Sequence, residues 1–184
     1  CLEAGQGGEG FKGVDAAFAL PPLSTEQVIH PEKRLGGEPD WPQVLEPRFD
    51  AGASSPIYTN TLGELFTRVM LESAMKKRTA KKAAAGWDGD RYMLFGSDNA
   101  PDSLVWVSTW DTEDDAKELE AALETWVGKR TEGGDRAVHV VTRRGVDVAL
   151  TIGIDVARAQ EFAPTILKDM KRTERTALPK RSAK

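Results

Sequence analysis

The spacing of hydrophobic residues changes along the chain near Gly86. Before this residue, apolar positions recur at helical spacing or without a period, whereas after it they form short aromatic and beta-branched runs typical of strands. We therefore predict an α+β fold, with a helical and irregular region at residues 1–86 and a sheet domain at residues 87–170. Residues 171–184 are polar and basic, and we expect a disordered tail there.

Two helices are predicted in the first region. Residues 7–20 carry apolar side chains at helical spacing and are followed by Pro21 and Pro22, which end a helix. Thr61 and Glu64 have the spacing of a capping box and so predict the start of another helix. The apolar residues after this start fall on one helical face, which we expect to pack on the core: Leu62, Leu65, Phe66, Val69 and Met70.

Two further segments of this region are predicted to lie at the surface. Residues 36–58 contain four prolines and little hydrophobic periodicity, which indicates a loop. The side chains expected to pack this loop on the protein are Trp41, Val44, Leu45 and Phe49. Five positive charges lie between Lys76 and Lys82, and we interpret them as a solvated helix end, with a phosphate or nucleic-acid site as the alternative.

Four strands are predicted in the second region. Residues 91–96 and 104–110 should form one antiparallel hairpin, and residues 137–143 and 146–154 a second, which turns at Arg144-Gly145. A helix follows each hairpin, so the order is strand, strand, helix, strand, strand, helix. We expect an antiparallel sheet with helices on one side.

The first of these helices begins at Asp111 or Thr112, and its acidic first turn and basic last turn suit the helix dipole. Its predicted buried positions are Ala116, Leu119, Ala122, Leu123 and Trp126. Asp155 is expected to cap the second helix, which Pro164 should kink.

Composition narrows the functional classes. The net charge of −4 and pI near 5.3 do not suggest a nucleic-acid or anionic-membrane protein, and no apolar run approaches the length of a membrane-spanning helix. Cys1 is the single cysteine, which excludes an internal disulfide and a cysteine-based zinc site. A mature lipoprotein also begins with cysteine, but we favour an arbitrary fragment start.

The densest group of chemically useful residues is STEQVIHPEKR, residues 24–34. A capping-box pattern predicts a short helix from Thr25, and Pro31 should end it at His30. Glu26 lies four residues before His30 and Glu32 two after it, so an imidazole and two carboxylates should converge, with Lys33 beside them. A structural histidine bonded to backbone is the alternative, and without any family resemblance we favour it.

Other polar residues favour structural roles. His139 interrupts an apolar strand, where an outward-facing or satisfied histidine is more common than a catalytic base. In the segment GWDGDRY, Asp88 and Asp90 flank Gly89, which predicts a tight turn with Arg91 free to pair with either aspartate. The chain contains no HExxH, no phosphate-binding glycine loop and no GxSxG motif.

Four motifs in order carry a family resemblance. They are an FxxVDAAFxxPP segment leading into STEQVIHPEKR, then TLGEL, AAAGWDGDRYML and LVWVSTWDTEDDAKEL, and they span about residues 10 to 125. Together they resemble the C-terminal half of a family of poorly characterised, usually secreted or lipid-anchored prokaryotic proteins. Members of that family are similar to zinc metallopeptidases of the HExxH type.

The resemblance implies that the zinc ligands and the general base lie upstream of the matching segment. No metal ligand and no cofactor site is therefore expected in this chain, although zinc is possible in a full-length parent. His30 occupies the position of the family's histidine and would stabilise an oxyanion at the zinc cleft, with Glu26 and Glu32 beside it. An extracytoplasmic location and an upstream domain as partner are also implied.

Three functions stay open. The first is a C-terminal fragment of a zinc-metallopeptidase-like protein that is not catalytic alone. The second is a non-catalytic interaction or structural module, which would contact a peptide or protein ligand through a sheet face or the Trp41 loop. The third and weakest is anion or nucleic-acid binding through Lys76 to Lys82. An intact HExxH motif upstream would favour the first function over the second.

Overall fold

The computed structural model describes residues 18–19, 21–35, 39–48, 55–97 and 101–176. The described helices are α1 (Thr25–Ile29), α2 (Glu32–Leu35), α3 (Gly63–Glu72), α4 (Lys77–Ala84), α5 (Glu113–Glu132) and α6 (Val156–Asp169). The described strands are β1 (Gln43–Glu46), β2 (Tyr58–Asn60), β3 (Trp87–Phe95), β4 (Ser103–Trp110), β5 (His139–Arg144), β6 (Asp147–Ile152) and β7 (Lys171–Glu174). Of the helix predicted at residues 7–20, only Phe18 and Ala19 belong to the described residues, and both are helical.

A five-stranded antiparallel sheet forms the centre of the described structure, with the strand order β2-β3-β4-β6-β5. Trp106 of β4 lies opposite Tyr92 of β3 on one side and Leu150 of β6 on the other. The predicted α+β class, both hairpins and the order of strands and helices in the second region are confirmed. None of the helices in the described residues is long and apolar enough to cross a membrane.

Both faces of the sheet are covered, which corrects the expectation of helices on one side. Along β4, Trp106 and Trp110 pack in a core with α3, α4 and α5, while Val105 and Val107 pack on the opposite face with α6. Because the sheet is buried on both faces, β4 is a continuous apolar run rather than an alternating one. Within the described residues, the central strands β4 and β6 therefore leave little surface for a partner.

The buried face of helix α5 is the one that the sequence predicts. The five positions expected to be buried are buried, and the Thr112 hydroxyl accepts a hydrogen bond from the Asp115 amide, so Thr112 rather than Asp111 is the cap. The Asp155 carboxylate caps α6 through the Arg158 amide, and Pro164 lies inside that helix.

Strands β1 and β7 correct two predictions of irregular structure. Gln43–Glu46 lie within the predicted loop and Lys171–Glu174 within the predicted tail, yet the two segments pair as antiparallel strands. Leu45 is completely buried in the core beneath α6. Each segment is too short and too polar to show strand periodicity by itself, and the pairing joins positions more than 120 residues apart. Residues 177–184 of the predicted tail lie outside the described residues.

Helix α3 is rotated relative to its prediction. Its buried residues are Gly63, Glu64, Thr67 and Leu71. Three residues expected in the core are exposed instead: Leu65, Phe66 and Val69. The rotation follows from close contact with α1, because a Cβ on Gly63 would lie 2.5 Å from the Thr25 hydroxyl oxygen. Glu64 then faces inwards, where it meets His30.

Candidate functional site

His30 ends helix α1 as the sequence predicts. The Ser24 hydroxyl accepts a hydrogen bond from the Gln27 amide at 3.1 Å and so caps the start of the helix. The His30 backbone amide donates to the Glu26 carbonyl at 2.7 Å, which completes the last turn before Pro31.

The His30 ring lies between two carboxylates. Its Nε2 is 3.0 Å from Glu64 Oε1, and its Nδ1 is 3.5 Å from Glu32 Oε1. The Glu64 side chain is only 1% exposed whereas the ring is 26% exposed, so a buried carboxylate orients an accessible imidazole. Burial raises the pKa of Glu64, and the hydrogen bond from His30 opposes that rise. Glu64 Oε2 is buried without a hydrogen-bond partner in the described structure.

Glu26 does not join this pair, contrary to the predicted convergence of His30, Glu26 and Glu32. Its buried carboxylate instead accepts a hydrogen bond from Lys33 Nζ at 2.7 Å. Burial raises the pKa of Glu26 to about 8, while Lys33 opposes the rise and Asp111 and Asp40 add to it. The segment therefore contains two polar centres rather than one.

Lys33 lies at the middle of the second polar centre, the one that contains Glu26. Its ammonium contacts carboxylate oxygens of Glu26, Asp40 and Asp111 and so links helix α1, the segment before β1 and the end of β4. The pKa of Lys33 is raised above its ordinary value: burial would lower it, but hydrogen bonds to the three carboxylates outweigh burial.

Asp88 adds a fourth carboxyl group to the surroundings of Lys33. Burial raises the pKa of Asp88 to about 7, and repulsion from Asp111 and Asp40 adds to the effect. Oxygens of Glu26, Asp40 and Asp111 lie within 4.8 Å of one another, a spacing that a metal ion could bridge. The Lys33 ammonium already bonds all three, so we interpret this group, the Lys33 cluster, as an ion-pair network.

The segment GWDGDRY forms the start of β3 rather than the predicted tight turn. The Asp90 carboxylate accepts hydrogen bonds from the Leu62 amide at 2.8 Å, the Gly63 amide at 2.7 Å and Trp87 Nε1 at 2.8 Å. Burial raises the pKa of Asp90 to about 6, although these three donors oppose the rise. Asp90 thus supplies the cap of α3 that we had predicted from Thr61.

Gly89 lies where β3 approaches β1 closely, and a side chain would not fit there. A Cβ at this position would lie 2.4 Å from the Gln43 carbonyl oxygen of β1, so no larger residue fits without moving a strand. Arg91 pairs with neither aspartate; its Nε donates to the Leu45 carbonyl at 3.2 Å. This arginine therefore helps to hold β1 against the sheet.

His139 is a buried strand residue and not an accessible base. Its side chain is 1% exposed, and its Nε2 lies 3.7 Å from Asp135 Oδ2. The ring packs edge-on against Trp126 of α5, with 6.0 Å between the ring centres.

Sequence reasoning missed the residues that complete both centres. Glu64 was interpreted as a capping residue, and Asp40 and Asp111 were not considered as partners of Lys33. The sequence gives no signal for a buried Glu64, because the apolar spacing of α3 places it off the predicted core face. Nothing local connects it to His30, which lies 34 positions earlier.

Comparison with known proteins supplies a family but no activity. No curated protein and no solved structure matches the chain. Residues 54–164 match the family described as "Domain of unknown function (DUF8575)". This match covers α3 to β6 and most of α6, together with Asp88, Asp90 and Asp111, whereas His30 and Lys33 precede it. Because more than half of the chain is matched, this protein belongs to the DUF8575 family.

Proposed function

We propose that this chain is the non-catalytic C-terminal part of an extracytoplasmic protein that resembles zinc metallopeptidases. In this proposal, His30 borders a cleft whose metal-binding wall is supplied by an upstream domain. The sequence supports the placement of the metal site in another domain, because this chain contains only two histidines and no HExxH motif.

The observation that carries the proposal is the pairing of His30 with Glu64. A buried carboxylate behind an imidazole fixes the orientation of the ring. The ring is about one quarter exposed and so remains open to a substrate oxygen. Such a fixed donor is the kind of group that stabilises a developing oxyanion. Glu32, whose side chain is 73% exposed, is free to move away from Nδ1.

Glu26 has a different role in this proposal. Its carboxylate bonds Lys33 and fixes α1 on the protein, so it positions His30 through the backbone rather than through the ring. We therefore expect Glu26→Gln to lower the stability of the parent protein more than its peptidase activity.

The test uses the full-length parent protein and a His30→Ala variant. Removing one preorganised oxyanion donor lowers kcat roughly 100-fold or more, and the zinc content and melting temperature should stay unchanged. Lys168→Ala, at an exposed position on α6, is the matched control and should behave as the wild type. Undiminished peptidase activity in a stable His30→Ala variant would refute the role of His30.

A second candidate is a non-catalytic interaction module. The observation that favours it is the outward face of α3, where Leu65, Phe66 and Val69 are exposed on a helix predicted to bury them. The upstream sequence discriminates between the two candidates. Intact zinc ligands would support the first, and substituted ligands would leave the second.

A further inference from the structure

The outward side of α3 is an apolar stripe. The exposed fractions are 41% for Leu65, 59% for Phe66 and 53% for Val69. Three large apolar side chains within five positions are costly to leave in water and mark an interaction surface. The inward side of the same helix is occupied by Glu64, Thr67 and Leu71, so the stripe has no place in the core.

Helix α4 and the turn before it carry a cluster of cations. Lys76, Lys77, Arg78 and Lys81 are exposed, and none has an acidic partner among the described residues. Lys82 differs, since it pairs with Glu118 of α5. Residues 63–84 contain six cationic residues and two carboxylates, a net charge of +4, although the whole chain carries −4.

The stripe and the cations belong to one outer surface. Leu71 of α3 and Ala80 and Ala83 of α4 are buried in the same core on one face of the sheet. The two helices contact each other and are joined by residues 73–76. Since both helices pack in the core on the same face of the sheet, we infer that their exposed sides form one outer surface. We call this the α3–α4 outer surface.

We propose that the α3–α4 outer surface docks on an anionic lipid membrane surface. Unpaired lysines and arginine are attracted to acidic headgroups, and the neighbouring apolar side chains enter the boundary between headgroups and acyl chains. Leu65 and Val69 favour lipid over nucleic acid, because aliphatic side chains gain little from phosphates and do not stack on bases. This proposal deepens the interaction-module candidate and does not depend on peptidase chemistry.

The test is co-sedimentation of the purified chain with vesicles. Binding should be clear on vesicles that contain phosphatidylglycerol, weak on pure phosphatidylcholine, and reduced at high salt, because salt screens exposed charges. A Lys76→Gln/Lys77→Gln/Arg78→Gln/Lys81→Gln variant should bind the acidic vesicles at least about tenfold more weakly. Phe66→Ser/Val69→Ser should lose about tenfold as well, since it removes apolar surface that the acyl boundary would bury.

Arg158→Gln/Lys168→Gln is the control, and it is compared with Lys76→Gln/Lys77→Gln, which removes the same number of cations from the α3–α4 outer surface. Both residues are exposed on α6, which covers the opposite face of the sheet, so this variant loses two cations without changing the α3–α4 outer surface. It should bind acidic vesicles like the wild type. Melting temperatures of all variants establish that the folded state is retained.

Three results would overturn the proposal. One is no preference for acidic vesicles over phosphatidylcholine. Another is an equal loss of binding in the Arg158→Gln/Lys168→Gln control, which would indicate an effect of net charge alone. The third is single-stranded DNA binding that is tighter than vesicle binding and indifferent to Phe66→Ser/Val69→Ser, which would assign a nucleic acid. None of these results bears on the His30→Ala test, so the two proposals fail separately.

Discussion

The sheet and the segment before it are held in different ways. The sheet is fixed by two apolar cores, one on each face, with tryptophans and leucines buried from β4, β6 and α5. Residues 24–35 and Asp40 are fixed largely by charged and polar groups, above all the Lys33 cluster and the His30–Glu64 pair. Apolar burial is insensitive to protonation, whereas ion pairs depend on it. The Lys33 cluster and the His30–Glu64 pair therefore make the attachment of residues 24–35 more dependent on pH than the two apolar cores.

The two regions should also differ in how much of the protein unfolds when one of their contacts is lost. Loss of an apolar core contact affects the cooperative unfolding of the whole sheet. Loss of an ion pair that attaches α1 affects a local opening, which has its own lower free energy. We expect His30 to lie on the side that opens locally, because its segment is held by ion pairs rather than by an apolar core.

Leu119→Ala tests the apolar side of the comparison and should have the largest effect. Leu119 is completely buried between α5 and the sheet. The cavity should lower the free energy of unfolding by about 3 to 4 kcal/mol, measured by urea denaturation. Leu119→Met keeps the volume and should cost less than about 1.5 kcal/mol. A loss of hydrogen-exchange protection confined to residues 24–35 would contradict the division between the regions.

Lys33→Met tests the charged side. It leaves a buried carboxylate at Glu26 and two acidic neighbours, Asp40 and Asp111, without their shared cation. We expect a loss of about 2 to 3 kcal/mol, below the figure for a fully buried pair because Asp40 is partly exposed. Hydrogen exchange should increase in α1 and α2 while β4 and β6 stay protected. Lys168→Met, at an exposed position, is the control, and equal exchange in both variants would contradict the role of Lys33.

Four of the five strands of the sheet, β3 to β6, are predictable because their signals are local, whereas the three-residue edge strand β2 is not. Alternating and continuous apolar runs predict β3 to β6, and the register of α5 follows from five positions of one helix. Each element can be recognised from its own residues. The arrangement of helices on both faces was not predictable in this way, since it depends on which side of the sheet each connection crosses.

The candidate site was only partly predictable, because its contacts are distant in sequence. The capping of α1 and the position of His30 depend on neighbouring residues and are confirmed. The inward rotation of α3 depends on Gly63 meeting Thr25, and the apolar spacing of Leu65, Phe66 and Val69 predicted the opposite face. A hydrophobic stripe can face a partner as well as a core, and periodicity alone does not distinguish these cases.

Asp90→Asn tests the junction between the two regions and should have an intermediate effect. Asp90 bonds two amides at the start of α3 and the Trp87 indole, so it positions the helix that carries Glu64. An asparagine presents one amine to these donors, and we expect a loss of about 1 to 2 kcal/mol in urea denaturation. Asp114→Asn, on the exposed first turn of α5, should leave the stability nearly unchanged. Equal losses in the two variants would show that Asp90 is no more than a surface charge.

The pH dependence of stability tests the comparison between the sheet and the segment before it through the smallest expected effect. The folded-state pKa is about 8 for Glu26 and about 7 for Asp88, both above the values expected in the unfolded chain. Between the unfolded-state and the folded-state pKa of each carboxyl group, the folded protein therefore binds more protons than the unfolded chain. The stabilisation is complete below about pH 4 and is lost as the pH rises through the folded-state values.

Asp88→Asn removes one of these charges without removing a hydrogen bond to Lys33. At pH 8 the variant should be about 1 kcal/mol more stable than the wild type, and the difference should shrink towards pH 5, where Asp88 is protonated in the folded state. Urea denaturation at several pH values measures this difference directly. Asp114→Asn is the control, because lysine pairing lowers the pKa of Asp114. An Asp88→Asn difference that is constant with pH would mean that Asp88 stays ionised, and the attachment would then lack its pH dependence at this residue.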